Sequence, residues 1–264
     1  MTARRPGGNW VEYGLEAWAL GLFMLVACCA SVLMFHPASP VVSAIPGPLP
    51  RRILMGLTMG LTAIVNIYSP WGRRSGAHMN PAVTLTYLRL GRMAGPDAAG
   101  YAAGQFAGAV LGTMVAALLL PRWIADLSVN YAVTVPGPAG PRWAFGAELL
   151  ISFGLMLVVL TLSGVKRWAG WTGVAAGCLV AGCITFESPI SGMSMNPART
   201  LGSAIPASHW DALWIYFTAP PLGMLLAAEI RHWLGHRHDR HCAKFHHDER
   251  YRCIFCEHRQ GLGA

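Results

Sequence analysis

The sequence carries little charge: only 12% of its 264 residues are Asp, Glu, Lys or Arg. A soluble domain usually has about 25% charged residues, so the chain lacks the polar surface of an ordinary soluble enzyme. Disorder is excluded as well, because 54% of the residues are hydrophobic. The net charge of +8 does not indicate nucleic-acid binding, since the basic residues lie between apolar runs and in a tail. The composition favours one fold unit in a bilayer.

Six apolar runs approach the ~20 residues that a helix needs to cross a bilayer. They cover residues 12–35, 52–68, 97–120, 143–162, 171–186 and 211–234. The basic residues at the ends of the runs, in the loops and in the two terminal segments place both chain ends in the cytoplasm, because fifteen of them then lie inside and four outside. The third run has a glycine at every fourth position over residues 100–112, which predicts close helix packing in lipid.

A ten-residue segment occurs once in each half of the chain. Residues 75–84 and 191–200 are identical at seven positions, and each copy contains Asn-Pro-Ala. Each copy follows the second run of a three-run set and precedes an amphipathic stretch, 82–89 or 198–205, that is too short to cross a bilayer. Three spans per half reverse the orientation of the second half. The pattern therefore predicts an inverted repeat with halves at about 12–122 and 142–235.

The Asn-Pro-Ala motif is suited to the beginning of a helix. Asn is a good N-cap, and Pro fits the first turn, where its missing N–H costs nothing. Two half-helices that enter from opposite faces would meet at their positive ends, each carrying up to ~0.5 charge, and would repel cations. A water that receives hydrogen bonds from both asparagines could not readily relay a proton. The motif residues are Asn80, Pro81, Ala82, Asn196, Pro197 and Ala198.

With two such motifs in a six-span inverted repeat, residues 12–233 resemble the aquaporin (major intrinsic protein) family, and its water channels in particular. The resemblance implies an all-α membrane protein with six transmembrane helices and two re-entrant half-helices. The channel would cover residues 12–235, between cytoplasmic segments at 1–11 and 236–264. It would conduct water and some small neutral solutes passively, exclude protons and ions, and require no cofactor. The resemblance also implies a non-enzymatic homotetramer in the plasma (cell inner) membrane, surrounded by lipid.

The resemblance also implies a selectivity filter. Arg199, which replaces the Val of the first copy, would donate hydrogen bonds to the solute and repel cations, the alternative being an ion pair with a lipid phosphate or with Glu187. Because the loop before the first motif is long, two adjacent residues remain candidates for the second-span position. The filter candidates are Arg199, Ile184, Met193 and either Met59 or Gly60.

Solute choice is open between water and other small neutral molecules. The apolar filter side chains favour some passage of small neutral solutes. However, Thr200 and Ala204 stand where glycerol facilitators carry Asp and Lys, and Tyr216-Phe217 resembles the pair of water channels. The resemblance therefore favours water, with a facilitator for glycerol, ammonia or another small neutral solute as the alternative.

Three titratable residues lie near the motifs. Glu16 and Glu148 occupy matched positions early in each half. The resemblance implies that they accept hydrogen bonds from the re-entrant loops, since a carboxylate within the membrane needs partners. His78, two residues before Asn80, is a candidate to line the cytoplasmic half of the pore. A purely structural histidine is the alternative, and a pH-sensitive gate is a further hypothesis.

The tail is rich in metal-ligating residues, since ten of the last 33 are His or Cys. Cys253-x-x-Cys256 brings two thiolates within reach of one zinc or other transition-metal ion, and further residues could complete four ligands. The further candidates are Cys242, His246 and His258, with His241 and His247 as additional choices. The alternatives are a basic tail near anionic lipid, and a metal-sensing or enzymatic membrane protein that acts through the tail. Disulfides are not expected in a reducing cytoplasm.

Overall fold

The computed structural model describes residues 8–234 and 242–262, with side chains as far as residue 258. Within these ranges all regular elements are helical, which confirms the predicted all-α class. Two 3-10 turns cover Asn130–Ala132 and Ala169–Trp171. The α-helices are α1 (Trp10–Phe35), α2 (Pro40–Ala44), α3 (Pro48–Tyr68), α4 (Pro70–Ser75), α5 (Pro81–Arg89), α6 (Gly95–Leu119), α7 (Pro141–Gly164), α8 (Thr172–Phe186), α9 (Ser188–Ser191), α10 (Pro197–Ala207), α11 (Leu213–Trp233) and α12 (Ile254–Leu262).

Six long helices correspond to the six predicted spans. Five segments are long and apolar enough to cross a membrane: Trp10–Phe35, Gly95–Leu119, Pro141–Gly164, Ala169–Phe186 and Leu213–Trp233. The sixth long helix, α3, has 21 residues, but Arg51 and Arg52 near its start make it less apolar. It begins four residues before the predicted span because Pro48 provides a favourable first-turn residue.

The long helices pair in the same way in both halves. Helix α1 packs along α6 in the first half, α7 packs along α11 in the second, and α3 meets α8 between the halves. The glycine stripe of α6 makes the first pairing close. A methyl group at Gly108 or Gly112 would overlap a backbone carbonyl of α1. The predicted role of this stripe in helix contact is therefore confirmed.

The two half-helices, α5 and α10, follow the first and second motif. Each one packs against a long helix of the opposite half, α5 against α11 and α10 against α6. An ion pair between Arg89 of α5 and Glu229 of α11 (2.8 Å) spans the first of these contacts. Because each half-helix packs against the opposite half, the beginnings of both half-helices lie in the centre of the bundle.

Candidate pore

Both re-entrant loops have the same unusual backbone. Three residues at matching positions of each loop have positive φ angles, and two of the three are not glycine. Left-handed backbone costs such residues about 1–3 kcal/mol each and persists only where the surroundings impose it. The residues are Gly76 (106°), Ala77 (55°) and Met79 (48°) in the first loop and Gly192 (82°), Met193 (49°) and Met195 (55°) in the second.

Glu16 holds the first loop in this conformation. Its Oε1 accepts hydrogen bonds from the Ser75 hydroxyl (2.6 Å) and the His78 backbone N–H (3.1 Å). Its Oε2 accepts from the Met79 backbone N–H (2.6 Å) and the Gln105 side-chain amide (2.8 Å). All four partners are hydrogen-bond donors, so both carboxylate oxygens act as acceptors. Glu16 is fully buried. Its hydrogen bonds to Ser75, His78 and Met79 hold the loop in place.

Glu148 has the equivalent position in the second half. Its Oε1 accepts from the Ser191 hydroxyl (2.9 Å) and the Ser194 backbone N–H (2.6 Å). Its Oε2 accepts from the Met195 backbone N–H (2.7 Å). The hydrogen bonds that the resemblance implied for both glutamates are present in this geometry.

Each motif asparagine bonds to the loop of the opposite half. The side-chain amide of Asn80 donates to the Met195 carbonyl, and that of Asn196 donates to the Met79 carbonyl, both at 2.7 Å. Each asparagine oxygen also caps its own half-helix, accepting from the backbone N–H two residues later at 2.9 Å and 3.0 Å. A primary amide has two N–H donors. Each asparagine therefore keeps one donor beyond the bond to the opposite loop.

One elongated cavity of about 430 Å³ runs past both asparagines. It reaches Phe35 and Arg52 beside the end of α1, and we call this the Arg52 end. In the other direction it reaches Phe245, on the side where α1 begins, and we call this the tail end. Asn80 and Asn196 line the cavity between these ends. The arrangement fits a pore through the middle of the bundle.

The remaining filter candidates lie along this cavity, with one exception. Met59, Ile184 and Met193 all line it. Gly60 does not, because it faces α8, where an added Cβ would lie 2.6 Å from the Gly177 carbonyl oxygen. Of the two second-span candidates, only Met59 therefore lines the cavity.

Arg199 also lines the cavity, between Asn196 and the Arg52 end. Its Nη1 is buried and has no hydrogen-bond partner within the described part of the chain. Both carboxylate oxygens of Glu187 likewise have none there, so the alternative ion pair between these two residues is not formed. A buried guanidinium donor without a partner is costly unless a polar group reaches it. A solute oxygen in the cavity would supply one.

The four residues that favoured water in the sequence do not line the cavity. Thr200 is buried against Ser194, with 2.5 Å between their hydroxyl oxygens. Phe217 stacks on Phe106 of α6 at 6.1 Å between ring centroids. Ala204 is buried in the half-helix α10. Their influence on solute choice would therefore act through packing rather than through direct contact.

A matched pair of tyrosines has a structural role that was not predicted from the sequence. The Tyr216 hydroxyl donates to the Ser191 carbonyl (2.5 Å), and the Tyr101 hydroxyl donates to the Ser75 carbonyl (2.6 Å). Both tyrosines are completely buried. The signal was present in the repeat, since each tyrosine follows its serine by about the same interval, 26 and 25 residues.

His78 lies at the tail end of the cavity, where the tail covers it. Its Nε2 donates to the Ala243 carbonyl (2.9 Å), so its Nδ1 accepts from the Thr84 hydroxyl (3.0 Å). The rings of Tyr87 and Phe255 stack on the imidazole at 5.0 Å and 5.4 Å. The imidazole lines the pore and at the same time anchors the tail.

Further polar contacts fix the tail to the channel. The Phe245 backbone N–H donates to the Gly76 carbonyl (3.1 Å), and the Lys244 ammonium donates to the Arg73 carbonyl (2.8 Å). Arg73 also forms an ion pair with Asp248 (3.2 Å). Lys244 and Phe245 are buried in the contact. Residues 243–245 therefore pack against the helical bundle and are not exposed to solvent.

Asp248 connects this contact to the rest of the tail. It accepts hydrogen bonds from Arg250 (2.7 Å) and from Arg73 (3.2 Å). The bond from Arg250, with a smaller contribution from Arg73, holds the pKa of Asp248 well below its usual value. Asp248 therefore remains charged at neutral pH and keeps its attraction for Arg73.

Four tail residues form a compact set of metal-ligating atoms. The ligand atoms of Cys242, His247, Cys253 and Cys256 all lie within 4.8 Å of one another. The candidates His246 and His258 are not in this set. His246 instead packs its ring on Tyr68 at 5.0 Å. His258 follows Cys256 by two residues on α12, and such neighbours point to different faces of a helix.

His241, another candidate, lies outside the described residues. The sequence offered five partners for the Cys-x-x-Cys pair and could not choose among them. The choice depends on how the chain turns between residues 242 and 253.

Comparison with known proteins agrees with this geometry. The family model described as Major intrinsic protein matches residues 9–230. Among curated relatives, the chain is 40% identical to Aquaporin NIP2-3 of Zea mays over 175 residues, which cover 65% of this chain and 55% of that protein. It is 35% identical to Aquaporin NIP1-3 of Oryza sativa subsp. japonica over 211 residues, or 79% and 69% of the two chains.

The fold also resembles a solved structure, the aquaglyceroporin from Plasmodium falciparum. The TM-score is 0.69 at 20% identity, over 84% of this chain and 94% of that one. At this identity the likeness concerns the fold. The chain spans only about 55% of the length of the first curated relatives that it matches.

Proposed function

Since the chain belongs to the major intrinsic protein family, we propose that it is a passive transmembrane channel that conducts water, with some passage of small neutral solutes. The observation that carries this proposal is the pair of hydrogen bonds by which the two motif asparagines join the two loops within one cavity. Asn80 and Asn196 line the cavity and cap opposing half-helices whose loops they bridge at 2.7 Å. The relatives named above are aquaporins rather than enzymes.

The opposing half-helices explain how such a pore would exclude protons and cations. The N-termini of α5 and α10 face the cavity, and each contributes up to about half a positive charge. The free amide N–H of each asparagine can donate to a water oxygen. A water that receives hydrogen bonds from both sides directs its own hydrogens outward, so a proton relay through the centre is interrupted.

The proposed filter combines one cation with three apolar side chains. Met59, Ile184 and Met193 offer a passing solute no hydrogen-bond donor through their side chains, whereas Arg199 offers a buried N–H donor. A guanidinium at this depth repels cations and accepts a neutral oxygen as its partner. The filter therefore selects for small uncharged molecules.

The same apolar filter supports a second candidate, a facilitator for glycerol or another small neutral solute. Three apolar side chains can contact the carbon atoms of glycerol as well as they can contact water. Flux through reconstituted vesicles distinguishes the two candidates. Under an impermeant osmolyte we expect shrinkage that is faster than in protein-free vesicles and has a low activation energy, together with much slower uptake of glycerol.

The assay should include Phe245→Ala, because Phe245 lies at the tail end of the cavity. Protein-free vesicles and Phe186→Ala, whose ring is 73% exposed at the end of α8, are the controls. Equal water and glycerol rates would favour the facilitator. Water flux no greater than that of protein-free vesicles, in both the wild type and Phe245→Ala, would refute a channel.

The orientation, membrane and oligomeric state are also proposals. We propose that the channel lies in the plasma (cell inner) membrane. The tail end of the cavity then faces the cytoplasm, because positive residues concentrate at the cytoplasmic face of membrane proteins. Arg73, Arg74 and Arg89 lie on this side, together with the tail. A homotetramer stays a prediction of the family resemblance.

A further inference from the structure

We propose that the tail binds one zinc-type transition-metal ion through Cys242, His247, Cys253 and Cys256, and that this ion holds Phe245 across the tail end of the pore. The metal site depends only on the tail residues. Its effect on flux rests on the proposed channel function.

The distances within the cluster suit tetrahedral coordination. Bonds of about 2.3 Å to sulfur and 2.0–2.1 Å to nitrogen put tetrahedral ligand atoms roughly 3.5–3.8 Å apart. The Cys242 sulfur lies 3.2 Å from Nδ1 of His247 and 3.4 Å from the Cys253 sulfur. A disulfide would need about 2.05 Å, so the thiols are close without being bonded. Small movements of these side chains would complete the coordination.

The donor set selects the kind of metal. Three sulfur atoms and one imidazole form one of the usual structural zinc sets. Thiolates bind soft or borderline ions such as zinc, whereas magnesium and calcium prefer oxygen ligands. Four protein ligands also close the coordination sphere, and this is the arrangement of a structural rather than a catalytic site. The site therefore fits an ion that organises the tail.

The chain geometry explains why the tail needs such an ion. Cys253 immediately precedes α12, and Cys256 lies in its first turn, while Cys242 and His247 come from the segment before it. That helix has nine residues and is the only one in the described tail. A segment of this size has too little core to fold alone, and metal binding would supply the missing free energy.

The proposed ligands bracket the residues that contact the channel. Phe245 lies between Cys242 and His247 along the chain, and Phe255 lies between Cys253 and Cys256. Phe245 lines the cavity and is 5% exposed, while Phe255 is 1% exposed and stacks on His78. Both aromatic rings are therefore positioned by segments that the ion would tie together.

The docked tail covers the mouth of the pore. His78 is only 2% exposed, although it lines the cavity. The Ala243 carbonyl occupies its Nε2, and the buried ring of Phe245 lies at the end of the cavity. Without the ion, the two tail segments would lose their mutual constraint, and Phe245 could leave the mouth. The bound metal would thus favour the closed channel.

The first experiment measures metal without measuring flux. We expect elemental analysis of the purified full-length protein to give about one zinc per chain. Cobalt added after zinc removal should give the absorption bands of a tetrahedral thiolate site. Both signals should be lost in Cys253→Ser/Cys256→Ser and kept in Cys178→Ser, which removes an exposed thiol of α8. Absence of zinc and of the cobalt bands from the wild type would overturn the metal site.

The second experiment measures the consequence for the pore. A membrane-permeant zinc chelator should raise the water flux of wild-type vesicles by about tenfold, as expected if the closed form outweighs the open form by about ten to one. Phe245→Ala should reach a similar flux while it retains its zinc. Cys253→Ser/Cys256→Ser should be open and insensitive to the chelator. Phe186→Ala should respond like the wild type.

The outcomes separate the two proposals. Bound zinc with no effect of the chelator, together with unchanged flux in Phe245→Ala, would overturn pore closure while leaving the metal site intact. Flux at the level of protein-free vesicles in every variant, including Phe245→Ala, would refute the channel function and with it the gating. Circular dichroism of each variant verifies that the helical bundle has formed.

Discussion

Glu16→Gln should destabilise the protein far more than a chemically identical change on its surface. Each carboxylate oxygen of Glu16 accepts two hydrogen bonds from the first re-entrant loop and α6. The amide nitrogen of Gln can accept neither pair, so two bonds are lost in either orientation. At about 1.5–3 kcal/mol for a hydrogen bond to a charged group, the expected loss is about 3–6 kcal/mol.

Two matched variants give this prediction an internal scale. In Glu148→Gln the amide oxygen can keep the two donors of Oε1 and lose only the one from Met195, so about 1.5–3 kcal/mol is expected. In Glu229→Gln an ion pair with Arg89 is lost, but its side chain is 46% exposed, and such pairs are worth about 0–1 kcal/mol. The predicted order of damage is Glu16, Glu148, Glu229.

Thermal unfolding of the detergent-solubilised protein measures this order. At about 2–4 °C per kcal/mol, Glu16→Gln should lower the midpoint by on the order of 10 °C, whereas Glu229→Gln should change it by less than about 4 °C. Comparable midpoints for these two variants would show that the Glu16 carboxylate does not hold the loop. Water flux below the midpoint should also fall in Glu16→Gln, because the loop positions Asn80.

Three further changes test the pore and its packing. Arg199→Val should admit cations or protons while water flux remains, as measured by conductance and by a pH-sensitive dye inside vesicles; unchanged selectivity would remove Arg199 from the filter. Met193→Cys should make water flux sensitive to mercurials, which should inhibit the wild type only weakly; an insensitive variant would place residue 193 away from the narrow path. Gly112→Leu should prevent assembly, because a side chain there overlaps α1; normal yield and flux would contradict this packing.

The spans and the half-helices could be predicted because their causes are local. Each helix that crosses a bilayer needs a long apolar run, and such a run can be recognised in the sequence without knowing what the helix contacts. The beginning of each half-helix follows from asparagine as N-cap and proline in the first turn. In the structure α5 begins at Pro81 and α10 at Pro197, each directly after its asparagine cap.

The filter register could not be predicted because it depends on a short insertion. Helix α4, between α3 and the first motif, has six residues, whereas its counterpart α9 in the second half has four. Counting back from Asn80 therefore left Met59 and Gly60 as equal candidates. The contact of Gly60 with the Gly177 carbonyl separates them, and only the packing of α3 on α8 reveals it.

The docking of the tail was also hidden from the sequence. The contact between His78 and Ala243 joins residues 165 positions apart. Neither residue type predicts such a pairing, and nothing in the sequence distinguishes Phe245 from any other apolar residue. The proposed metal ligand His247 has the same side chain as its neighbour His246, and only the folded chain shows which of the two lies beside the cysteines.

The positions at which the two motif copies differ explain how a symmetric bundle acquires two different mouths. Seven identical positions provide the shared loop and cap, whereas the three differing pairs are Ala77 and Met193, His78 and Ser194, and Val83 and Arg199. Met193 and Arg199 both line the cavity beyond the asparagines toward the Arg52 end.

At the other mouth, His78 forms a hydrogen bond with Thr84, just as Ser194 does with Thr200 in the second loop. The imidazole also has a second nitrogen, which reaches the Ala243 carbonyl. A serine hydroxyl is too short to make both contacts. Histidine in place of serine thus preserves the loop and gives the tail a docking point at one mouth, while the proposed filter lies at the opposite mouth.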